Sequence, residues 1–219
     1  MIRDMKKTLY SLMLSEDVVR EVDALAHRLG TNRSALINQI LAEYVDYTTP
    51  ERRINDVLSA IDQLMRPTRD LVPFFVPNAS SLSLKSSLEY KYRPTVKYEV
   101  ELYRGGEESI GSLSVVFRTQ SAALIQGMTE FFRLWKRIED AHLYPHTGAH
   151  IEYALYDGKF VRSIAAPDRD CSTDELARAL SEYIQLFDKL MKNYLTGRLD
   201  AHEVEAAYFS HMRGAAIHI

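Results

Sequence analysis

Within the first 48 residues the hydrophobic period switches from two to that of an α-helix, and the stretch is too short to enclose a core of its own. Lys6 to Leu14 reads Lys-Lys-Thr-Leu-Tyr-Ser-Leu-Met-Leu, a strand's length without Gly or Pro. At the strand period Tyr10, Leu12 and Leu14 share one face, and Lys7, Leu9, Ser11 and Met13 the other. Ser15 then stands as an N-cap ahead of Glu16 and Asp17, acids that the helix dipole favours in a first turn. Val18, Val22, Leu25 and Leu29 follow at helical spacing, and Gly30 suits a left-handed helix end. Asn32 is the next N-cap, followed by the stripe Leu36, Ile37, Ile40, Leu41, Tyr44 and Val45. A strand and two short helices bury too little apolar surface to stand alone, so this module needs a partner, and an obligate homodimer supplies one.

Two segments carry a resemblance: Leu12-Met13-Leu14-Ser15-Glu16 at the strand-to-helix join, and Leu29-Gly30-Thr31-Asn32-Arg33-Ser34-Ala35-Leu36-Ile37 at the turn. With them, residues of about 6–48 resemble the ribbon-helix-helix (Arc/MetJ/CopG-like) family of bacterial and phage DNA-binding proteins. The resemblance implies two chains pairing their strands into an antiparallel ribbon that enters the major groove, with the N-terminus of each second helix holding a phosphate. Carried over by position, it sets Leu9, Ser11 and Met13 against base edges. Lys6 and Lys7 then face the backbone, and Asn32, Arg33 and Ser34 form the phosphate clamp. Tyr10, Leu12, Leu14, Leu36, Ile37 and Ile40 become the dimer core. The base-facing set departs from the family pattern, which is generally polar or basic. Leu9 and Met13 can touch thymine methyl groups but make no bidentate hydrogen bonds.

Overall charge gives no electrostatic signal for nucleic acid: the 219 residues carry a formal net charge of -3. Residues 1–48 hold six Lys or Arg against seven Asp or Glu, but Arg3, Lys6, Lys7 and Arg33 gather where a duplex would lie. A single cysteine, Cys171, builds neither an internal disulfide nor a cysteine metal cage, which fits a reducing compartment. With no long apolar run and no signal-peptide pattern, the expected location is the cytoplasm, without membrane contact.

Residues 49–79 read as a connector. The spacing from Thr48 to Glu51 predicts a capping box, and Ile54, Val57, Leu58, Ile61, Leu64 and Met65 form a helical stripe that fits equally the protein's own core or a dimer axis. Pro67 ends that helix, and Leu71 to Asn78, with Pro73 and Pro77, reads as an extended, docked linker. From Ser80 the period becomes two: Leu82, Leu84, Leu88, Tyr90 and Tyr92, then Val96, Tyr98, Val100 and Leu102, then Ile110 to Phe117. A helix through Leu124 to Ile138, a hairpin at Tyr156-Asp157-Gly158-Lys159, a helix opened by the capping box Ser172 to Glu175, and a last helix from Asp200 complete the chain. The order β-β-β-α-β-β-α-α predicts an α+β domain over residues 80–219, with helices on one face of an antiparallel sheet. The fold expected is therefore a ribbon-helix-helix module, a connector helix and this domain.

His142, His146 and His150 fall four apart, the spacing of a shared metal on one helix face, but Pro145 and Gly148 break that helix, so no metal or other cofactor is expected. Without a phosphate loop, nucleophile elbow, HExxH or CxxC, no enzyme is expected either. The leading expectation is a dimeric, sequence-specific transcriptional regulator, a repressor, whose larger domain senses an effector, recruits a protein or builds a higher oligomer. The alternatives are an assembly protein that uses the first module only to dimerise, and an antitoxin.

Overall fold

The computed structural model describes residues 8–75, 80–89, 93–105, 108–148, 150–156, 158–167 and 169–219, apart from the side chain of His146. Tyr90, Tyr92, Pro77 and Asn78 lie outside the described residues. Two helices open it: α1 (Glu16–Arg28) and α2 (Arg33–Tyr44). Ser15 occupies the N-cap of α1 with extended backbone but makes no side-chain cap bond. Leu29 is the C-cap, and Gly30 follows at φ +63°. The Thr31 amide donates to the Ala26 carbonyl and the Gly30 amide to that of His27, the paired bonds of a Schellman motif. A second copy of this closure ends α2, where Tyr47 donates to Ala42 and Asp46 takes the left-handed position at φ +53°.

Of the strand expected at Lys6 to Leu14, the described part, residues 8–14, is not formed in the single chain. Lys6 and Lys7 lie outside the described residues, and residues 8–15 adopt neither helix nor strand. A strand exists through its ladder, and among the described residues nothing pairs with this one.

Next comes α3 (Pro50–Met65). Its N-cap is Thr49, whose hydroxyl accepts from the Arg52 amide at 3.2 Å, rather than the expected Thr48. Pro50 in the first turn forces the residue before it into extended backbone, and Thr49 at ψ 153° is that residue. Ile54, Val57, Leu58, Ile61 and Met65 are buried in the main core, whereas Leu64 is exposed. The stripe is therefore covered by the chain's own larger domain, chiefly by the helix Thr173–Leu195.

The expected linker is a strand as well. β1 (Leu71–Phe75) lies at the edge of a six-stranded antiparallel sheet with β2 (Ser81–Ser87), β3 (Thr95–Leu102), β4 (Ser109–Phe117), β5 (Tyr153–Tyr156) and β6 (Lys159–Ala165), in the order β1-β2-β3-β4-β6-β5. Pro73 is tolerated because an edge strand has one unpaired side. The bulge between Ser109 and Gly111 requires glycine: a Cβ at Gly111 would sit 2.2 Å from the Glu101 carbonyl oxygen.

Helices α4 (Ala122–His142), α6 (Thr173–Leu195) and α7 (Ala201–Gly214), with the short α5 (Tyr144–Thr147), complete the chain. The predicted capping box opens α6, and a second, from Asp200 to Glu203, opens α7. The helices bury their apolar sides with the strand positions Leu82, Leu84, Val96, Tyr98, Val115 and Phe160 in one core. Aromatic packing dominates its centre: Phe132 stacks on Phe160 at 4.9 Å and Trp135 meets Phe187 edge-on at 4.8 Å. That core contains no residue from 8–48.

Beneath α4 the core holds a charge pair. Arg162 and Glu139 are both buried, with Arg162 Nε donating to Glu139 Oε2 at 3.0 Å. The Tyr153 and Tyr183 hydroxyls donate to the same carboxylate, each at 2.8 Å, and Arg162 Nη2 reaches the Ile219 carbonyl oxygen at 2.5 Å. Burial, and next to it the Glu139 charge, pushes the Tyr153 and Tyr208 phenols well above their ordinary value.

Candidate nucleic-acid interface

Two of the positions expected to read bases, Leu9 and Met13, are the most exposed large apolar side chains among the described residues. Leu9 and Met13 are 96% and 101% exposed, and Ser11 between them is exposed as well. Tyr10, Leu12 and Leu14, expected in a dimer core, are also exposed, as is Ile40. Leu36 is buried, with Ala26 and Ala42, between α1 and α2, and Ile37 is half-buried. Val18, Leu29, Leu41, Tyr44 and Val45 add to the uncovered surface. Stranding this much apolar side chain in water within 48 residues is costly, at about 25 cal/mol per Å2.

At the turn, the structure brings the three clamp residues together on the first turn of α2. Asn32 is the N-cap, its Oδ1 accepting from the Ala35 amide at 2.9 Å. The Arg33 and Ser34 amides are then the first-turn donors that have no acceptor within the helix, the arrangement that binds an anion. The Asn32 side chain is thus committed to the cap, and its contribution to an anion is to hold those two amides in place.

Arg33 is also committed, to a partner that spacing alone does not reveal. Its Nε donates to Asp23 Oδ1 at 2.6 Å and its Nη2 to Asp23 Oδ2, a two-pronged pair between α2 and α1. The Arg33 hydrogen bond holds the Asp23 carboxyl below its ordinary value, and the same bond raises Arg33. Both side chains are about half exposed, so the guanidinium can exchange a carboxylate for a phosphate without desolvation. Ten residues separate the two, and only the α1–turn–α2 geometry makes them neighbours.

Away from this module, among the described residues no group of three or more His, Cys, Asp or Glu could hold a metal. His142 lies on α4 with its Nε2 2.8 Å from Glu205, and His150 stands beyond the break at Gly148. Cys171 is half-buried, its carbonyl accepting from Arg53 Nη2 at 2.9 Å. No helix among the described residues is long and apolar enough to cross a membrane.

Comparison with known proteins agrees with this geometry. Residues 11–48 match the model of the ribbon-helix-helix protein, CopG family, a span that runs from the exposed opening segment through both helices and ends before α3. No curated protein and no solved structure matches the chain. The N-terminal module is thus a ribbon-helix-helix domain, whose family points to DNA binding and transcription regulation.

Proposed function

We propose that the protein is a homodimeric, sequence-specific transcriptional repressor that inserts an antiparallel ribbon, one strand from each chain, into the major groove. The observation that carries this reading is the exposure of Tyr10, Leu12, Leu14 and Ile40 on a module that lends nothing to the main core. A second copy gives residues 8–14 the ladder they lack and covers Tyr10, Leu12 and Leu14 on one face. The other face, Leu9, Ser11 and Met13, is then left to the groove. Two α2 N-termini, each with Arg33 and Ser34, flank the ribbon and take phosphates. Sequence preference rests on Ser11 and on apolar contact with thymine methyls, so preferred sites are rich in A·T pairs. In this reading the larger domain catalyses nothing and serves regulation.

The test is selection of bound duplexes from random DNA, with the mass of the complex measured in parallel. An enriched motif with twofold symmetry, bound by two chains, is the expected result. No enriched motif, or binding by a single chain, refutes the reading. The assembly-protein alternative is favoured by the apolar Leu9 and Met13 pair, and it predicts a stable dimer with no enriched motif.

A further inference from the structure

A cleft of about 360 Å3 opens in the larger domain between the end of β2, the turn from α3 into β1 and the C-terminal half of α6. Leu71, Leu88, Leu124 and Leu195 give it an apolar side. Its wall also holds a buried charge: Asp188, 3% exposed, accepts from the Tyr98 hydroxyl at 2.8 Å and pairs with Lys192 at 2.7 Å. At the rim Arg198 pairs with Glu89 at 3.1 Å. Among the described residues this leaves one lining acid and one lining base outside any ion pair, Asp70 and Lys189, both exposed.

Size and chemistry narrow the occupant. The volume is at the small end for ligand pockets, roughly 300–1,000 Å3. A cleft of that size suits a small metabolite. Three acids and three bases line it, so it offers no net charge to a simple anion or cation. One free charge of each sign beside a leucine wall suits a molecule carrying an ammonium, a carboxylate and an apolar group.

The cleft is also placed to reach the DNA-binding module. Its Thr68 hydroxyl lies 2.6 Å from the Met65 carbonyl oxygen, and its Gln185 amide donates to Met65 Sδ at 3.5 Å, so two wall residues hold the last turn of α3. That helix runs about 24 Å at 1.5 Å per residue to Pro50. There Arg52 reaches Glu43 of α2 at 3.6 Å.

We infer that this cleft is an effector site for a free α-amino acid with an apolar side chain, its ammonium held by Asp70 and its carboxylate by Lys189, which acts on the N-terminal module through α3. The inference rests on the regulator reading for its output but not for its binding step, so the two are measured separately.

The experiment uses the full chain and the free L-amino acids one at a time, by thermal melting and then calorimetry. A leucine-sized or aromatic amino acid is expected to raise the melting temperature, while its carboxamide and its decarboxylated amine do not. Lys189→Ala and Asp70→Ala are each expected to weaken binding by about tenfold or more, because each removes a charged hydrogen-bond partner. If no amino acid binds, or if both variants bind as tightly as the parent protein, the site assignment is overturned. Operator affinity is then compared with and without the ligand: a change supports the coupling, and an unchanged affinity overturns the effector role. Failure of the protein to bind any DNA, both with and without the ligand, refutes the regulator reading instead and leaves the calorimetric result to stand by itself.

Discussion

The Asp23–Arg33 pair makes the DNA contact open to a quantitative test. Binding to duplex DNA releases counterions, and the slope of log affinity against log salt falls by roughly 0.9 for each phosphate neutralised. A dimer places two copies of Arg33 on the duplex, so Arg33→Ala is expected to flatten the slope by about 1.8. Between 50 and 200 mM salt the parent protein should then lose roughly twelvefold more affinity than the variant. Asp23→Asn acts in the opposite direction: it releases Arg33 from its intramolecular partner and removes two negative charges per dimer, so affinity for every sequence rises. Ser11→Ala should leave the slope alone and alter which duplexes are preferred. The assay is a fluorescence anisotropy titration at four or so salt concentrations for each variant. Equal slopes for the parent and Arg33→Ala would mean that the guanidinium stays on Asp23 in the complex, and the phosphate-clamp argument fails.

Three further outcomes concern the larger domain. Glu139→Ala leaves the Arg162 cation buried without its carboxylate and should cost about 3–5 kcal/mol in urea denaturation, whereas Glu139→Leu with Arg162→Met, Tyr153→Phe and Tyr183→Phe, which removes the cation and the two hydroxyl donors together, should recover part of it; a loss as large as that of Glu139→Ala would show that the buried network is not what the single variant breaks. Gly111→Ala forces the β3–β4 ladder apart at the Glu101 carbonyl and should cost about 1–3 kcal/mol, and an unchanged melting temperature would contradict the bulge. The Ser172 amide, followed by Arg169, holds the Glu175 carboxyl down at about 2 against an ordinary 4.5. Because the folded value is the depressed one, the capping box stabilises fully above pH 4.5 and loses its contribution as pH falls towards 2. An NMR titration that finds Glu175 near its ordinary value refutes that cap.

How much of this was legible in the sequence follows from how far apart the interacting residues lie. Helix ends are local, so Gly30, Asn32, the Ser172–Glu175 box and a last helix starting at Asp200 are read from a few neighbouring letters, with Asp200 proving to be its N-cap. The one misplaced cap, Thr48 for Thr49, fell beside a proline whose steric demand outweighs the Thr-to-Glu spacing. Strand alternation identified β2, β3 and β4, but Pro73 disguised β1 as a linker because position in the sheet, not composition, decides whether a proline is tolerated. Arg162 shares the strand period of Phe160 and Ile164, so its inward direction was implicit. Only Glu139 on a different element explains why a charge is acceptable there. The same holds for Tyr98 and Asp188, ninety residues apart, and for Asp23 and Arg33, ten apart.

The opening segment is the instructive exception, since its pattern is plain and its structure is not realised in one chain. Alternation from Thr8 to Leu14 has physical meaning only if something borders the strand on its hydrogen-bonding edges and covers one of its faces, and among the described residues no element does either. The apolar face of α2 makes the same demand through Ile40, Leu41 and Tyr44. Two independent periodicities, one of two residues and one of 3.6, therefore ask for the same missing neighbour. A symmetric second copy answers both with one interface, because a twofold axis brings each strand against its own twin and each exposed helix face against the other. If the purified chain stays monomeric at micromolar concentration, neither periodicity has been satisfied, and the groove-binding proposal has no ribbon to insert.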